Sequence, residues 1–402
     1  MGFFGFVSTD SLSFFMPKIE DTIIALFRVS GFNAYLSEAG LKTKLLITQL
    51  GGDLQDCRIL KIPGIRDLFC MLKSTITQDL SKIKNILEGY KDSSGQEPKE
   101  KRKKFQDQGK ENFIKANESV FELRANGILK VLLEKKILQT GLLIECMKCA
   151  NNIWLSLAQG INEQFKCEAC SNINATPNHF TGDLKIKCSN CKQAACLSLA
   201  RGINEDFKCQ YCFHLNFLPN KLITAGGKWK VRLSGILSAD EQGSIPVALA
   251  LQRLDCSLGS GCARYYMPSL KLKLSKDNEC ETDICFITQS LNYGFHGRKT
   301  IQIVIGEIKS NMGIDAEDIT KLNGVKDVLH NAGFDVFLLF AKLTTFTQAE
   351  IELCKKEYNP AIERIIMLTD KEMELYLVLN EVQRPISTLE ELAQLTSKKY
   401  FA

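Results

Sequence analysis

Eight of the sixteen cysteines form four C-x2-C pairs, Cys146/Cys149, Cys167/Cys170, Cys188/Cys191 and Cys209/Cys212, and the pairs follow one another at equal intervals along the chain. Two cysteines in this spacing present both sulfurs from one tight turn, the geometry that tetrahedral zinc needs. Nothing in the sequence directs the chain to an oxidising compartment, so the pairs read as metal ligands and not as disulfides. All three gaps between pairs are the same length, so the intervening sequence must decide which pairs share a metal. From Cys146 to Cys170 the chain reads CMKCANNIWLSLAQGINEQFKCEAC, and from Cys188 to Cys212 it reads CSNCKQAACLSLARGINEDFKCQYC, a repeat with a shared core of L-S-L-A-x-G-I-N-E-x-F-K-C. Each repeat is therefore one module with one zinc, held by Cys146, Cys149, Cys167 and Cys170 in the first and by Cys188, Cys191, Cys209 and Cys212 in the second. Four cysteines close the coordination sphere and leave no position for a reacting water, so these zincs are structural.

Each module reads as a zinc ribbon. Leu155-Ser-Leu157 and Leu197-Ser-Leu199 are expected strands, Gly160-Ile-Asn and Gly202-Ile-Asn turns, and Phe165-Lys and Phe207-Lys the lead into the second knuckle. Trp154, matched by Cys196, has two readings: a stacking platform for a base, or a packing residue over a small sheet, which is favoured. Cys196 is expected to be a small buried filler, and His179 and His214 to be surface residues.

A second set of chemical residues lies further on. In TIQIVIGEIKS, from Thr300 to Ser310, the period-two face carrying Ile301, Ile303 and Ile305 continues with Glu307 and Lys309. An apolar face thus ends in an acid and a base. On the preceding predicted strand, Glu281 and Asp283 share a face. The elements around them are a helix over 244–255, strands over 264–274, 281–288 and 300–309, a helix from Asp315 to Asn331, and an apolar strand over 334–341. A helix capped by Thr347 and Glu350, a strand over 364–368 and a last helix from Asp370 follow. The core order is α-β-β-β-α-β.

An acid on one strand and E-x-K at the end of the next, in that element order, resembles the PD-(D/E)xK nuclease superfamily, the restriction-endonuclease-like fold. The resemblance runs over positions 228–380. It implies that Asp283 and Glu307 bind Mg²⁺ (or Mn²⁺) together with the backbone carbonyl of Ile308, and that Lys309 orients the attacking water and stabilises charge on the scissile phosphate. Thr282 stands where the family often has proline. A further carboxylate from the first helix is left unassigned among Asp240, Glu241 and Glu281, and His296 lies in the loop between the two motif strands.

The expected fold class is α+β multidomain: a mostly helical N-terminal domain (1–88), a charged linker (89–113), a helical lead-in ending near Gly141 (114–145), tandem zinc ribbons (146–222) and an α/β restriction-endonuclease-like domain (223–402). The apolar start, Met1 to Phe6, reads as a buried strand or helix, and the run Lys101–Lys104 as solvated linker. Cys57 and Cys70 read as core residues.

The 402 residues, 45% hydrophobic and 24% charged, suit two to four globular domains. No apolar run is long enough for a membrane helix, and a cytoplasmic location is expected. The formal charge of +5 treats cysteines as neutral; eight zinc-bound thiolates and two Zn²⁺ bring it to about +1, so bulk charge does not identify a partner. The leading expectation is a Mg²⁺-dependent nuclease acting on nucleic acid, with DNA favoured, and with the ribbons helping to position it. The alternative is a non-catalytic nucleic-acid-binding or protein-interaction module on an inactive nuclease-like scaffold.

Overall fold

A computed structural model of the chain describes residues 19–61, 65–66, 68–69, 71–72, 77–94, 125–177, 183–203, 206–224, 229–234, 243–257, 262–275, 278–290, 301–310, 312–357, 364–373, 386 and 388–402. It is a mixed α+β protein, and its described strands are numbered β1 to β16 in chain order. The chain divides into two compact units, one of Met1–Thr48, Asp53–Cys57 and Asp240–Ala402, the other of Gln49–Gly52 and Arg58–Ala239.

The first unit is built on a six-stranded sheet of β1 (Asn33–Leu36), β12 (Cys262–Ser275), β13 (Asn278–Ser290), β14 (Ile301–Lys309), β15 (Asp335–Lys342) and β16 (Ile365–Leu368), in that spatial order. The pairs from β1 to β14 are antiparallel, and β14, β15 and β16 are parallel. β15, DVFLLFAK, is apolar on both faces because both are covered. On one face Ile23 and Phe27 of helix Ile19–Val29 and Ile319, Leu322, Val325 and Leu329 of helix Ala316–Asn331 pack with Cys285, Ile287, Ile303, Ile305, Leu338 and Phe340. Helix Ser244–Ser257 packs across β12 to β15. Its buried Val247, Ala248, Leu251 and Leu254 stand outside that cluster, which puts it on the opposite face with Ile284, Phe286 and Val304.

The second unit carries a four-stranded antiparallel sheet, β2 (Gln78–Asp79), β11 (Lys230–Leu233), β3 (Leu138–Glu145) and β4 (Asn152–Ser156). Three hairpins accompany it: β5 (Gln164–Lys166) with β6 (Ile173–Ala175), β7 (Asp183–Lys187) with β8 (Ala194–Ser198), and β9 (Asp206–Lys208) with β10 (Leu215–Phe217). Helices Leu80–Ser94 and Ala125–Glu134 pack together.

Three expectations need correction. Residues 1–88 do not form one helical domain: β1 pairs with β12 and helix Ile19–Val29 joins the apolar cluster of the first unit, whereas helix Leu80–Ser94 belongs to the second. The helical lead-in stops at Glu134, and Leu138–Glu145 is a strand, because it pairs with β4 and β11 on its two edges before entering the first knuckle. Cys196 is exposed rather than buried, since its strand neighbour Ala195 is the one that turns inward. Met1 to Phe6, Cys70, Lys101–Lys104, His179, Asp240, Glu241 and His296 lie outside the described residues.

Candidate functional site

The ribbon cysteines converge as the repeat requires. Sγ of Cys146 lies 3.6 Å from that of Cys170, and Cys149 3.6 Å from Cys167. In the second set, Cys188 and Cys212 are 3.6 Å apart, and Cys191 and Cys209 are 3.6 Å apart. A tetrahedron with metal–sulfur bonds of about 2.3 Å has edges of about 3.8 Å, so both sets fit zinc, and the separations are far beyond a disulfide bond of about 2 Å. Among the described residues, these are the groups of three or more metal-binding side chains whose ligand atoms come together.

Each knuckle is made by the same backbone device. The N–H of the first cysteine donates to a carbonyl just past the second, from Cys146 to Asn151, Cys167 to Asn172, Cys188 to Gln193 and Cys209 to His214. The residue after the second cysteine is left-handed in all four, with φ of 58° at Ala150, 58° at Ser171, 62° at Lys192 and 56° at Phe213. Burial pushes the Cys146 and Cys188 thiols up, but backbone N–H groups pointing at them hold each down at about 6. Cys149 and Cys191, against the Asn151 and Gln193 N–H groups, are pushed up to about 12 by burial and the neighbouring sulfurs, so the first cysteine of each module is readied as a thiolate.

Two asparagines that the cysteine spacing does not reveal complete the sets. The buried Asn174 accepts from the Met147 N–H at 3.0 Å, and the buried Asn216, its counterpart in the second repeat, accepts from the Ser189 N–H at 2.8 Å. The side-chain amide of Asn216 also donates to Cys188 Sγ at 3.5 Å. Their signal is a single shared position, an asparagine four residues after the last cysteine of each module.

The GIN segments are more than turns within a ribbon. The Ile161 N–H donates to the Leu199 carbonyl at 2.8 Å, and the Ile203 N–H donates to the Leu157 carbonyl at 3.0 Å. The two modules thus clasp one another through the same residues used twice, as in an isologous contact. Gly160 and Gly202 are required there: both have positive φ, and a Cβ would lie 2.5 Å from the Ala200 oxygen and 2.4 Å from the Ala158 oxygen. Trp154 takes the packing role, against Gly141 and beneath the Arg232 guanidinium, 4.6 Å from its ring centre. His214 is exposed.

In the first unit, the described β13–β14 register ends at Ile284 opposite Gly306. Beyond that pair, side chains take over from the ladder. The buried Thr282 hydroxyl accepts from the Gly306 N–H at 3.0 Å and lies 3.0 Å from the Gly306 carbonyl. Asp283 Oδ2 accepts from the Ile308 N–H at 2.8 Å, and its Oδ1 accepts from the Ser269 hydroxyl at 3.3 Å. Gly306 leaves room for β15, because a Cβ would lie 2.3 Å from the Leu339 oxygen.

Glu307 and Lys309 share the face of Ile303 and Ile305, toward helix Ala316–Asn331. Lys309 Nζ lies 2.5 Å from Glu307 Oε1 and 3.2 Å from Asp318 Oδ1, and the three side chains are 15–17% exposed. Burial pushes Asp283 up to about 6, against the Ile308 N–H and the Lys309 charge. Burial, then the charge of Asp283, pushes Glu307 up to about 8. Burial would lower Lys309, but Glu307 and Asp318 together raise it. The result is a pair of carboxylates whose joint ionisation is opposed by burial and by each other's charge, and only partly offset by Lys309.

Two of these groups stand outside the sequence motif. Asp318 is fixed in the first turn of its helix, where Asp315 and Asp318 form a reciprocal capping box; an acid in the first turn after the E-x-K strand is its signal. Ser269 sits in β12 with φ 37°, directly after Pro268; a proline inside a predicted strand is its only signal. The loop leading to Asp315 is pinned from below by Glu350, which accepts from the Ile314 N–H at 2.8 Å and pairs with the buried Lys342 at 2.8 Å. Against its burial, Lys342 and the Thr347 and Ile314 amides hold Glu350 at about 2. Glu281 is exposed.

No helix among the described residues is long and apolar enough to cross a membrane. No family model matches the chain, and no curated protein does. Among solved structures, protein VC1899 from Vibrio cholerae is similar at 11% identity and a TM-score of 0.30, over 90% of this chain and 59% of that one. The chain thus spans about three fifths of the length of that protein, and likeness at this level does not establish a shared fold.

Proposed function

We propose that the chain is a Mg²⁺-dependent (or Mn²⁺-dependent) nuclease that hydrolyses phosphodiester bonds, with DNA the favoured substrate, and that its zinc ribbons bind the nucleic acid. The observation that carries this reading is the carboxylate pair Asp283 and Glu307, buried enough that ionising both is unfavourable, with Lys309 beside it. Mg²⁺ is commonly held by one or two carboxylates with waters and phosphate oxygens, which suits two acids and the Ile308 carbonyl. Bound there, the ion supplies Lewis-acid stabilisation of the phosphoryl oxygens and activation of water.

The protein groups do the rest. Asp283, braced by Ser269 and the Ile308 N–H, holds its position without needing the metal. With Glu307 engaged by a bound cation, Lys309 would keep its second partner, Asp318. Its ammonium would then orient the water that attacks phosphorus and stabilise the developing negative charge; as the new P–O bond forms and the P–O bond to the sugar oxygen breaks, the attacking water gives its proton to solvent and the departing oxygen takes one from solvent. Asp318 is a positioning residue for Lys309.

The second reading, a non-catalytic binding module, draws on the same ion pairs: Glu307, Lys309 and Asp318 satisfy one another without a metal. Incubation with plasmid and single-stranded DNA, with and without Mg²⁺, separates the two. The nuclease reading expects Mg²⁺-dependent cleavage lost in Asp283→Ala and Glu307→Ala; a wild type that cuts nothing, or variants that cut equally well, would refute it.

A further inference from the structure

The two ribbons are copies of one scaffold, so positions that correspond in the repeat serve as controls for each other. After the last cysteine, Ser171 and Phe213 occupy the same left-handed conformation, at φ 58° and 56°. A bulky ring is uncommon in that region, and here the ring is not used for packing. Phe213 is 68% exposed, with Tyr211 at 57% and Leu215 at 54%. The first ribbon folds the same knuckle with Ala169, Ser171 and Ile173 at these places, so the scaffold does not need the aromatics.

Charge changes along with them. Over the equivalent spans 145–176 and 187–218, the first has two cations and three anions, the second four cations and two anions, or −1 against +2. Glu168 in the first knuckle becomes Gln210 in the second. The Lys208 ammonium lies 5.2 Å from the centre of the Phe213 ring, within cation–π range.

We propose that Tyr211, Phe213 and Lys208 form a stacking platform for unpaired bases, so that the second ribbon selects single-stranded nucleic acid. The inference rests on the nucleic-acid reading above and deepens it. Exposed rings bordered by cations take bases of any sequence, because every base has a π-face and every nucleotide a phosphate. A duplex keeps its base faces stacked and gains only from the charge. An apolar protein surface would also use the rings, but the shift from −1 to +2 in the span that gained them favours a polyanion.

The test measures binding of the full chain in magnesium-free buffer to labelled oligo(dT) and to a duplex of equal length. Two variants are compared with wild type: Tyr211→Ala with Phe213→Ser, which restores small side chains as in the first ribbon, and Phe213→Gly, which removes the ring and relaxes the left-handed backbone. Both are expected to bind oligo(dT) at least about tenfold more weakly, to change duplex binding less than about threefold, and to keep two zincs and an undiminished melting temperature. Variants that bind oligo(dT) like wild type would overturn the proposal. So would an equal loss for duplex, or a wild-type dimer that Phe213→Gly converts to monomer, which would assign the rings to self-association. Binding is read apart from cleavage, so a chain that binds through the platform and never cuts refutes the nuclease reading alone.

Discussion

In each ribbon, all four ligands come from two neighbouring knuckles, Cys146 to Cys170 or Cys188 to Cys212, and the metal they fit is enclosed by sulfur. Around Asp283 and Glu307, the working groups come from β12, β13, β14 and a helix, from Ser269 to Asp318. That assembly stays together through ordinary hydrogen bonds and core packing. The first kind of site needs its metal to exist; the second exists beforehand and has two buried carboxylates that share one ammonium, Lys309. On the proposed reading the two centres therefore differ in what would be lost when the metal is withheld: fold in one case, chemistry in the other.

The largest effect bearing on this difference is at the cysteines. Structural zinc contributes about 10–16 kcal/mol in small folded modules, more than a domain's usual stability. Cys167→Ser or Cys209→Ser should lower bound zinc from two per chain to one or fewer and expose the ribbons to protease, as elemental analysis and limited proteolysis would show. Retention of two zincs in either variant would remove the distinction at its root.

The carboxylates make the opposite prediction for stability. Asp283 and Glu307 sit at about 6 and about 8, above an exposed carboxylate. Between about pH 4.5 and pH 8 these two groups thus bind more protons in the folded chain than in the unfolded one, and their contribution to magnesium-free stability falls as pH rises through that window, against the opposite slope of the eight zinc-bound thiolates. Glu307→Gln removes much of that slope and should stabilise the magnesium-free protein at pH 8, by on the order of 2 kcal/mol. Urea midpoints of wild type and variant, converging toward pH 5, would check it.

Smaller effects test the braces. Thr282→Val removes the hydroxyl that serves the Gly306 N–H and leaves a buried donor unpaired, for a loss of about 1–3 kcal/mol, measurable by denaturant titration. Gly160→Ala places a methyl against the Ala200 carbonyl at positive φ. It should cost about 1–2 kcal/mol, with both ribbons becoming more protease-sensitive because the clasp is shared.

Legibility in the sequence follows the same division. The ribbon ligands could be read because local spacing encodes them; the repeat assigned each zinc its four cysteines. Strands β12 to β16 could be read from their apolar runs, and helices Ala316–Asn331 and Gln348–Lys356 from the caps at Asp315 and Thr347. What escaped depends on partners far away in the chain. Nothing local says that Asn33–Leu36 extends a sheet whose next strand starts only at Cys262, that Leu138–Glu145 prefers two strand neighbours to a helix, or that the two GIN segments hold each other. Asp318 and Ser269 escaped for the same reason, since each is defined by the side chain it meets.

A metal-dependent phosphodiesterase built on Asp283, Glu307 and Lys309 has a kinetic signature in Mg²⁺. The decisive quantity is the rate of DNA cleavage by the zinc-loaded chain against Mg²⁺ concentration, for wild type and Glu307→Gln. Saturable Mg²⁺-dependent cleavage is expected, falling at least about 100-fold in the variant, with zinc content preserved and a melting temperature no lower than that of wild type. Cleavage that ignores Mg²⁺, or a fully active Glu307→Gln, would contradict the assignment.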